Sequence, residues 1–171
     1  PLGRQDVVYP SAGPGQGDFM VMIDFAHTPN SFKEILSLLR KKVKGRIIHV
    51  FGAAGQRDAL KRPEMGKISS EYSDIVIVTA EDPRSENIEK ITDEVISGIK
   101  NSRDRIKNST LLRIPDRQKA ITEAMKMARK DDLVLLTGKS HEKSINYGKG
   151  EEPWDEYEVV RKALGLKNNN E

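Results

Sequence analysis

The sequence predicts an α/β domain: a mostly parallel sheet of about five or six strands with helices on both faces. Three observations lead there. Short apolar runs of strand length alternate with segments whose apolar residues recur at helical spacing. The run Ile75-Val76-Ile77-Val78-Thr79 is continuous and β-branched, as expected of a strand covered on both faces. Polar turns separate each strand from the helix that follows, which fits right-handed strand–helix–strand crossovers.

Residues 1–17 are rich in Gly and Pro, most clearly in Ser11-Ala12-Gly13-Pro14-Gly15-Gln16-Gly17. They read as a linker into the domain or a hairpin connection. Phe19 to Ile23 is the first strand. Pro29 suits the first turn of a helix, and Phe32, Ile35, Leu36, Leu39 and Val43 give that helix one apolar face, with Gly45 as a stop signal. Arg40, Lys41, Lys42, Lys44 and Arg46 read as its solvated basic end, where cations suit the dipole.

Ile47 to Phe51 is the second strand, ending in the turn Gly52-Ala53-Ala54-Gly55, and Pro63 to Glu71 is the next helix. The strand Ile75 to Thr79 leads to a helix with apolar positions Ile88, Ile91, Val95 and Ile99, capped by Ser85 or Asn87. Thr110 to Ile114 is a fourth strand, followed by a helix lined by Ala120, Ile121, Ala124, Met125 and Ala128. Leu133 to Thr137 is a fifth, running into Gly138-Lys139-Ser140-His141-Glu142. Residues 143–152 read as a loop, Trp154 to Leu164 as a closing helix with Trp154 as its packing anchor, and 167–171 as a frayed, disordered polar tail. The domain proper therefore spans 18–166, and the alternation is Rossmann-like.

At 171 residues and 19.2 kDa the chain suits one domain. Its 29 basic and 26 acidic residues leave a net charge of +3, too balanced for a dedicated nucleic-acid binder. There is no cysteine, which excludes disulfides and thiolate metal sites and fits a reducing, cytoplasmic setting. No run of 18 apolar residues exists to span a membrane, and no signal peptide is visible. The chain opens with Pro1 in place of Met, which leads us to expect a processed or excised piece.

In an open parallel sheet, ligands bind in the crevice beyond the carboxyl ends of the strands. Three segments fall there. Asp24-Phe25-Ala26-His27-Thr28-Pro29 offers a carboxylate able to accept hydrogen bonds from a ribose and an imidazole able to meet a phosphate; equally, Asp24 could cap the next helix. The small-residue turn Gly52–Gly55 can expose backbone N–H groups to an anion. It is followed by Arg57, Lys61 and Arg62; Arg57 could hold a carboxylate bidentately, and all three could equally be plain surface cations. The turn is neither a Walker A loop nor a Gly-x-Gly-x-x-Gly fingerprint. Glu81-Asp82-Pro83-Arg84 sets two acids beside a guanidinium, which suits a zwitterionic amino acid or a salt-bridged turn. His27, His49 and His141 match no zinc spacing.

These segments resemble the motifs of the Mur ligases. Asp24 to Pro29 is similar to that family's Asp-Tyr-Ala-His-Thr-Pro. Gly55-Gln56-Arg57-Asp58 with Lys61-Arg62-Pro63 and Met65-Gly66 is similar to Gly-Asp-Arg-Asp, Lys-Arg-Pro and Met-Gly. Glu81-Asp82-Pro83-Arg84 resembles Asp-Asn-Pro-Arg, and Gly138 to Glu142 resembles Gly-Lys-Gly-His-Glu. The likeness is strongest to the members that add meso-diaminopimelate as a third amino acid. It implies the family's C-terminal, amino-acid-binding domain, from an enzyme of peptidoglycan synthesis that uses ATP and Mg2+ to join an amino acid to a UDP-linked muramoyl dipeptide through an acyl phosphate.

By the same resemblance, Arg57, Glu81, Asp82, Pro83, Arg84, Gly138 and Glu142 would hold the amino acid, and Asp24 and His27 would face ATP. No catalytic residue and no metal ligand is assigned. Arg84 favours an amino acid with a distal carboxylate over lysine. The chain departs from the family pattern at Glu81-Asp82, where an amide has become an acid, and at Phe25 and Ser140. With no P-loop in these residues, the N-terminal and central domains are the expected partners, and the piece alone is expected not to ligate. The alternatives are a related ligase domain for another acceptor, such as a folate polyglutamate, and a stand-alone amino-acid or nucleotide-binding module.

Overall fold

A computed structural model of the chain describes residues 4–10, 18–100 and 109–168. The elements run β1 (Asp6–Tyr9), β2 (Met20–Asp24), α1 (Pro29–Lys42), β3 (Ile47–Phe51), α2 (Arg62–Tyr72), β4 (Ile75–Val78) and α3 (Ile88–Lys100). They continue with β5 (Thr110–Arg113), α4 (Arg117–Met127), β6 (Leu133–Thr137), β7 (Ser144–Asn146), β8 (Glu151–Pro153) and α5 (Glu156–Asn168). Six strands form one sheet in the order β1-β2-β6-β3-β4-β5, all parallel except β1, which is antiparallel to β2. The predicted α/β class is what forms.

Period-two alternation divides the core between the two faces. Met22, Ile47, Phe51, Val76, Val78, Leu133 and Leu135 pack under α1, α2 and α3 through Phe32, Leu36, Met65, Val95 and Ile99. Val21, Ile23, Ile48, Val50, Ile75, Ile77, Val134 and Leu136 pack under α4 and α5 through Ile121, Met125 and Val160. Strands β3 and β6 are buried at every position because they lie in the middle of the sheet. Among the described residues no helix is long and apolar enough to cross a membrane.

The helix starts follow from their caps. Thr28 closes a capping box with Ser31 ahead of Pro29, Asn87 Oδ1 accepts from the Glu89 and Lys90 N–H groups, and Asp116 accepts from Lys119 N. Asp24 therefore caps nothing, and α1 ends at Lys42 on the extended residue Val43, ahead of Gly45.

Four expectations are corrected. Of the two readings of residues 1–17, the linker is corrected, because Asp6–Tyr9 joins the sheet as its edge strand, antiparallel to β2 as a hairpin connection requires; residues 11–17 lie outside the described residues. Residues 143–152 are not a plain loop, because Ser144–Asn146 and Glu151–Pro153 pair as a hairpin. The closing helix begins at Glu156 and runs to Asn168, past the expected boundary at 166, while residues 169–171 lie outside the description. Finally, the basic cluster is only partly a solvated helix end. Arg40 binds Asp74 as well as the Val43 and Gly45 carbonyls, and Arg46 binds Asp132, so these two arginines tie the strand starts together.

Candidate functional site

Since β2, β3, β4 and β6 are parallel neighbours, their carboxyl ends share one edge, and each hands over to one of the polar segments. A cleft of about 430 Å³ opens there, and His27, Arg57, Glu81, Asp82, Arg84 and Glu142 line it. Three separate crossovers and the segment after β6 supply these six side chains. Gly138 packs against Glu81 and does not itself line the cleft: a Cβ built on it would sit 3.1 Å from the Glu81 carboxylate, and its φ of +104° is one an L side chain rarely adopts. Pro83 is buried just behind, where its carbonyl faces Gly55, and does not line the cleft.

The loops after β3 and β4 meet backbone to backbone. Gly55 N donates to the Asp82 carbonyl at 2.7 Å, and a Cβ on Gly55 would lie 1.8 Å from the Pro83 oxygen. Arg84 Nη1 donates to Gly55 O at 2.7 Å, which aims the guanidinium along the cleft wall and leaves other N–H groups for a ligand. Arg84 adopts φ +55° and is held by its own N–H on the Asn146 carbonyl. Such a left-handed backbone costs about 1–3 kcal/mol for a non-glycine residue. Arg57 is exposed at the rim and has no hydrogen bond or ion pair to any described residue.

The acids differ in what they are free to do. Lys139, fully buried, donates from Nζ to both Asp82 carboxylate oxygens at 3.1 Å and to Glu142 at 2.8 Å. Asp82 also accepts from Asn146 N at 2.9 Å, so most of its acceptor capacity is taken up within the protein. Glu81 makes no hydrogen bond to any described residue, although it is only 8% exposed. Burial pushes its carboxyl up to about 7; Arg117 and His27 pull it down, and Asp82 and Glu142 push it further up.

Asp24 is buried, and its two oxygens accept from Ala26 N at 2.7 Å and Gln5 N at 2.8 Å. It lines a second hollow of about 410 Å³, beside α1, with Arg4, Glu34 and His27; His27 lines both spaces. Phe25 lies between the rings of His27 and His141, at centroid distances of 4.8 and 5.6 Å. His49 stands apart from both histidines, fully buried on Ser69 and Thr137, and desolvation holds it neutral down to about 3. Among the described residues no group of three or more His, Asp or Glu side chains is placed to hold a metal ion.

Sequence reasoning missed three charged residues that hold the site. Lys139 sits inside a quoted motif, and its task becomes visible only once Asp82 and Glu142 are near it. Arg62, which reads as a surface cation, is almost fully buried; it donates to Glu86, Glu94 and the Ala54 carbonyl, and in return holds the Glu86 carboxyl down to about 2. Arg117 is fully buried against Glu156. The only hint in the sequence was a charged residue at the first turn of an otherwise amphipathic helix.

A family model described as "Mur ligase, glutamate ligase domain" matches residues 4–140. UDP-N-acetylmuramyl-tripeptide synthetase of Roseiflexus sp. (strain RS-1) is 47% identical over 146 residues, covering 85% of this chain and 28% of that protein. UDP-N-acetylmuramoyl-L-alanyl-D-glutamate--2,6-diaminopimelate ligase 1 of Clostridium acetobutylicum is 43% identical over 147 residues, covering 86% of this chain and 29% of that protein. A solved UDP-N-acetylmuramoyl-L-alanyl-D-glutamate--2,6-diaminopimelate ligase superposes with a TM-score of 0.80 at 28% identity, over 91% of this chain and 32% of the other. The chain thus spans less than a third of the length of the relatives it matches.

Proposed function

This chain belongs to the Mur ligase family, as its C-terminal domain, and on that premise we propose that its cleft holds the amino acid that an ATP-dependent ligase joins to a UDP-linked muramoyl dipeptide. One observation carries the reading: Arg57, Arg84, Glu81 and Glu142 share one cleft with complementary roles. The two guanidiniums pair with carboxylates, Arg57 from the open rim and Arg84 from the wall. Glu81 and the outer oxygen of Glu142 receive an ammonium. The pairing of Asp82 with Lys139 bears on the choice of amino acid, because the acid that replaces the family's amide is partly compensated from within and repels a substrate carboxylate less than a free acid would. A dicarboxylic amino acid such as meso-diaminopimelate fits this charge pattern better than lysine.

When bound, ATP would activate the acceptor carboxylate as an acyl phosphate. Asp24 fits the ribose, because each of its oxygens has one backbone partner and a further lone pair facing the second hollow. Mg2+ is satisfied by one or two carboxylates together with phosphate oxygens, so the nucleotide would bring most of its ligands. The residues of this chain position the amine; holding two reactants in register is worth several kcal/mol of barrier. A cytoplasmic setting suits a UDP-linked acceptor.

The test is calorimetry on the full-length protein with meso-diaminopimelate, lysine, ornithine and glutamate, repeated with Arg84→Ala. The expected result is preferential binding of a dicarboxylic amino acid, weakened at least about tenfold in the variant, the scale of one charge-assisted hydrogen bond. Equal binding of lysine, or an unaffected variant, would overturn the assignment.

A further inference from the structure

Glu81 follows β4 and Glu142 lies on the segment after β6, and these strands are not neighbours, because β3 lies between them and pairs with both. No ladder hydrogen bond joins β4 to β6 directly, and the ladders stop before the residues that line the cleft. Arg117, the first residue of α4, spans the gap from behind. Its Nη1 donates to the Ala80 carbonyl at 3.0 Å and its Nη2 to the Thr137 carbonyl at 3.0 Å. Those two carbonyls belong to the residues immediately before Glu81 and Gly138.

The remaining donors of Arg117 go to Glu156, with Nε at 3.1 and 3.2 Å from its two oxygens and Nη2 at 2.6 Å. Both side chains are fully buried. Glu156 also accepts from Trp154 Nε1 at 2.7 Å, and Arg117 N donates to Tyr147 Oη at 3.1 Å, on the connection between β7 and β8. A buried ion pair of this kind is weak evidence for stability, since an apolar pair of similar volume often does as well. What the apolar pair cannot do is donate two hydrogen bonds to two separate strand ends.

We propose that Arg117, fixed by Glu156, is a positioning residue that sets how the loop bearing Glu81 stands against the segment after β6 that bears Glu142, and thereby the shape of the amino-acid cleft. The proposal rests on the reading of that cleft given above. Arg117 also acts on Glu81 through its charge. Around that carboxyl stand Arg117 from α4, His27 ahead of α1, Asp82 on its own loop and Glu142 after β6, and Arg117 is the strongest influence favouring ionisation.

The experiment uses the full-length protein with two variants: Arg117→Lys, which keeps the charge on a point donor without the planar fork, and Arg117→Met combined with Glu156→Leu, which removes both buried charges together. Circular dichroism and thermal midpoints establish that each folds. The expected result is a rise in the KM for the amino acid of about 10- to 100-fold, the range for a small misplacement of bound groups, with the KM for ATP unchanged. In the double variant the 13C-detected titration of the Glu81 carboxyl moves upward, and in Arg117→Lys it stays closer to the wild-type value. Folded variants with unaltered KM and unaltered Glu81 titration would overturn the proposal. A wild-type protein that takes up no amino acid would instead defeat the functional reading, while the Glu81 titration would still decide whether Arg117 sets that loop.

Discussion

At the scale of single residues, the cleft holds one carboxyl that folding has made expensive to ionise. Glu81 is raised from 4.5 to about 7, chiefly by burial. The folded state binds its proton more tightly than the unfolded chain does. The associated stability is therefore fully present below pH 4.5 and is lost as the pH rises through about 7. The shift corresponds to at most about 3 kcal/mol. Glu81→Gln is accordingly expected to be more stable than the wild type at pH 8, by about 1–3 kcal/mol, with the gain gone at pH 4.5. Urea denaturation of both proteins at the two pH values checks this, and a difference that ignores pH would refute it. On the proposed reading the same residue receives the incoming ammonium, whose charge would favour its ionised form. His49 has the opposite sign. Its imidazole is held neutral down to about 3 by burial and by Arg117, so its contribution to stability is present above pH 6.5 and is lost as the pH falls toward 3. NMR should find this ring unprotonated across pH 5–8; a midpoint inside that window would contradict the buried, doubly bonded geometry.

At the scale of elements, the site depends on two loops touching without side chains between them. Gly55→Ala would drive a methyl group into the Pro83 carbonyl and push the β3–α2 loop off the β4–α3 loop. We expect a loss of about 1–3 kcal/mol, the usual cost of overpacking. We also expect weaker amino-acid binding, because Arg84 is anchored on the Gly55 carbonyl. Thermal unfolding and calorimetry read the two effects. Elements with strong periodicity were legible in the sequence: β3, β4 and β6 as continuous apolar runs, and α1 with its Pro at the first turn. The β7–β8 hairpin was not legible, because Ser144-Ile145-Asn146 and Glu151-Glu152-Pro153 are too short and polar to show a period; they are held by Asp82, Arg84 and their own pairing. Strand β1 hid for a related reason, since four residues on a sheet edge bury too little to impose alternation. The buried cations were hidden by sequence distance: Arg117 finds Glu156 39 positions on, and Lys139 finds Asp82 57 positions back. Each looks like an ordinary surface charge until the fold brings its partner to it.

At the scale of the whole molecule, a parallel sheet explains why motifs more than 20 residues apart could be read as one site: every crossover returns the chain to the same edge. That edge faces outward. The cleft and the hollow beside Asp24 adjoin each other through His27, and both are open to solvent. The relatives are about three times as long as this chain. An open edge of this kind can orient an amine and part of a nucleotide, but an acyl phosphate that meets bulk water is hydrolysed before an amine reaches it. The 171 residues alone are therefore expected to give no product when supplied with ATP, Mg2+, UDP-linked muramoyl dipeptide and amino acid. The full-length protein is expected to turn over and to lose activity when Arg57 or Arg84 is replaced by Ala. Quantifying tripeptide product and released phosphate in parallel decides the matter. Product from the 171 residues would mean that this edge is sufficient for the chemistry. Phosphate without product from the full-length Arg84→Ala protein would show activation proceeding while the amine is no longer held, which is the division of labour that the cleft geometry requires.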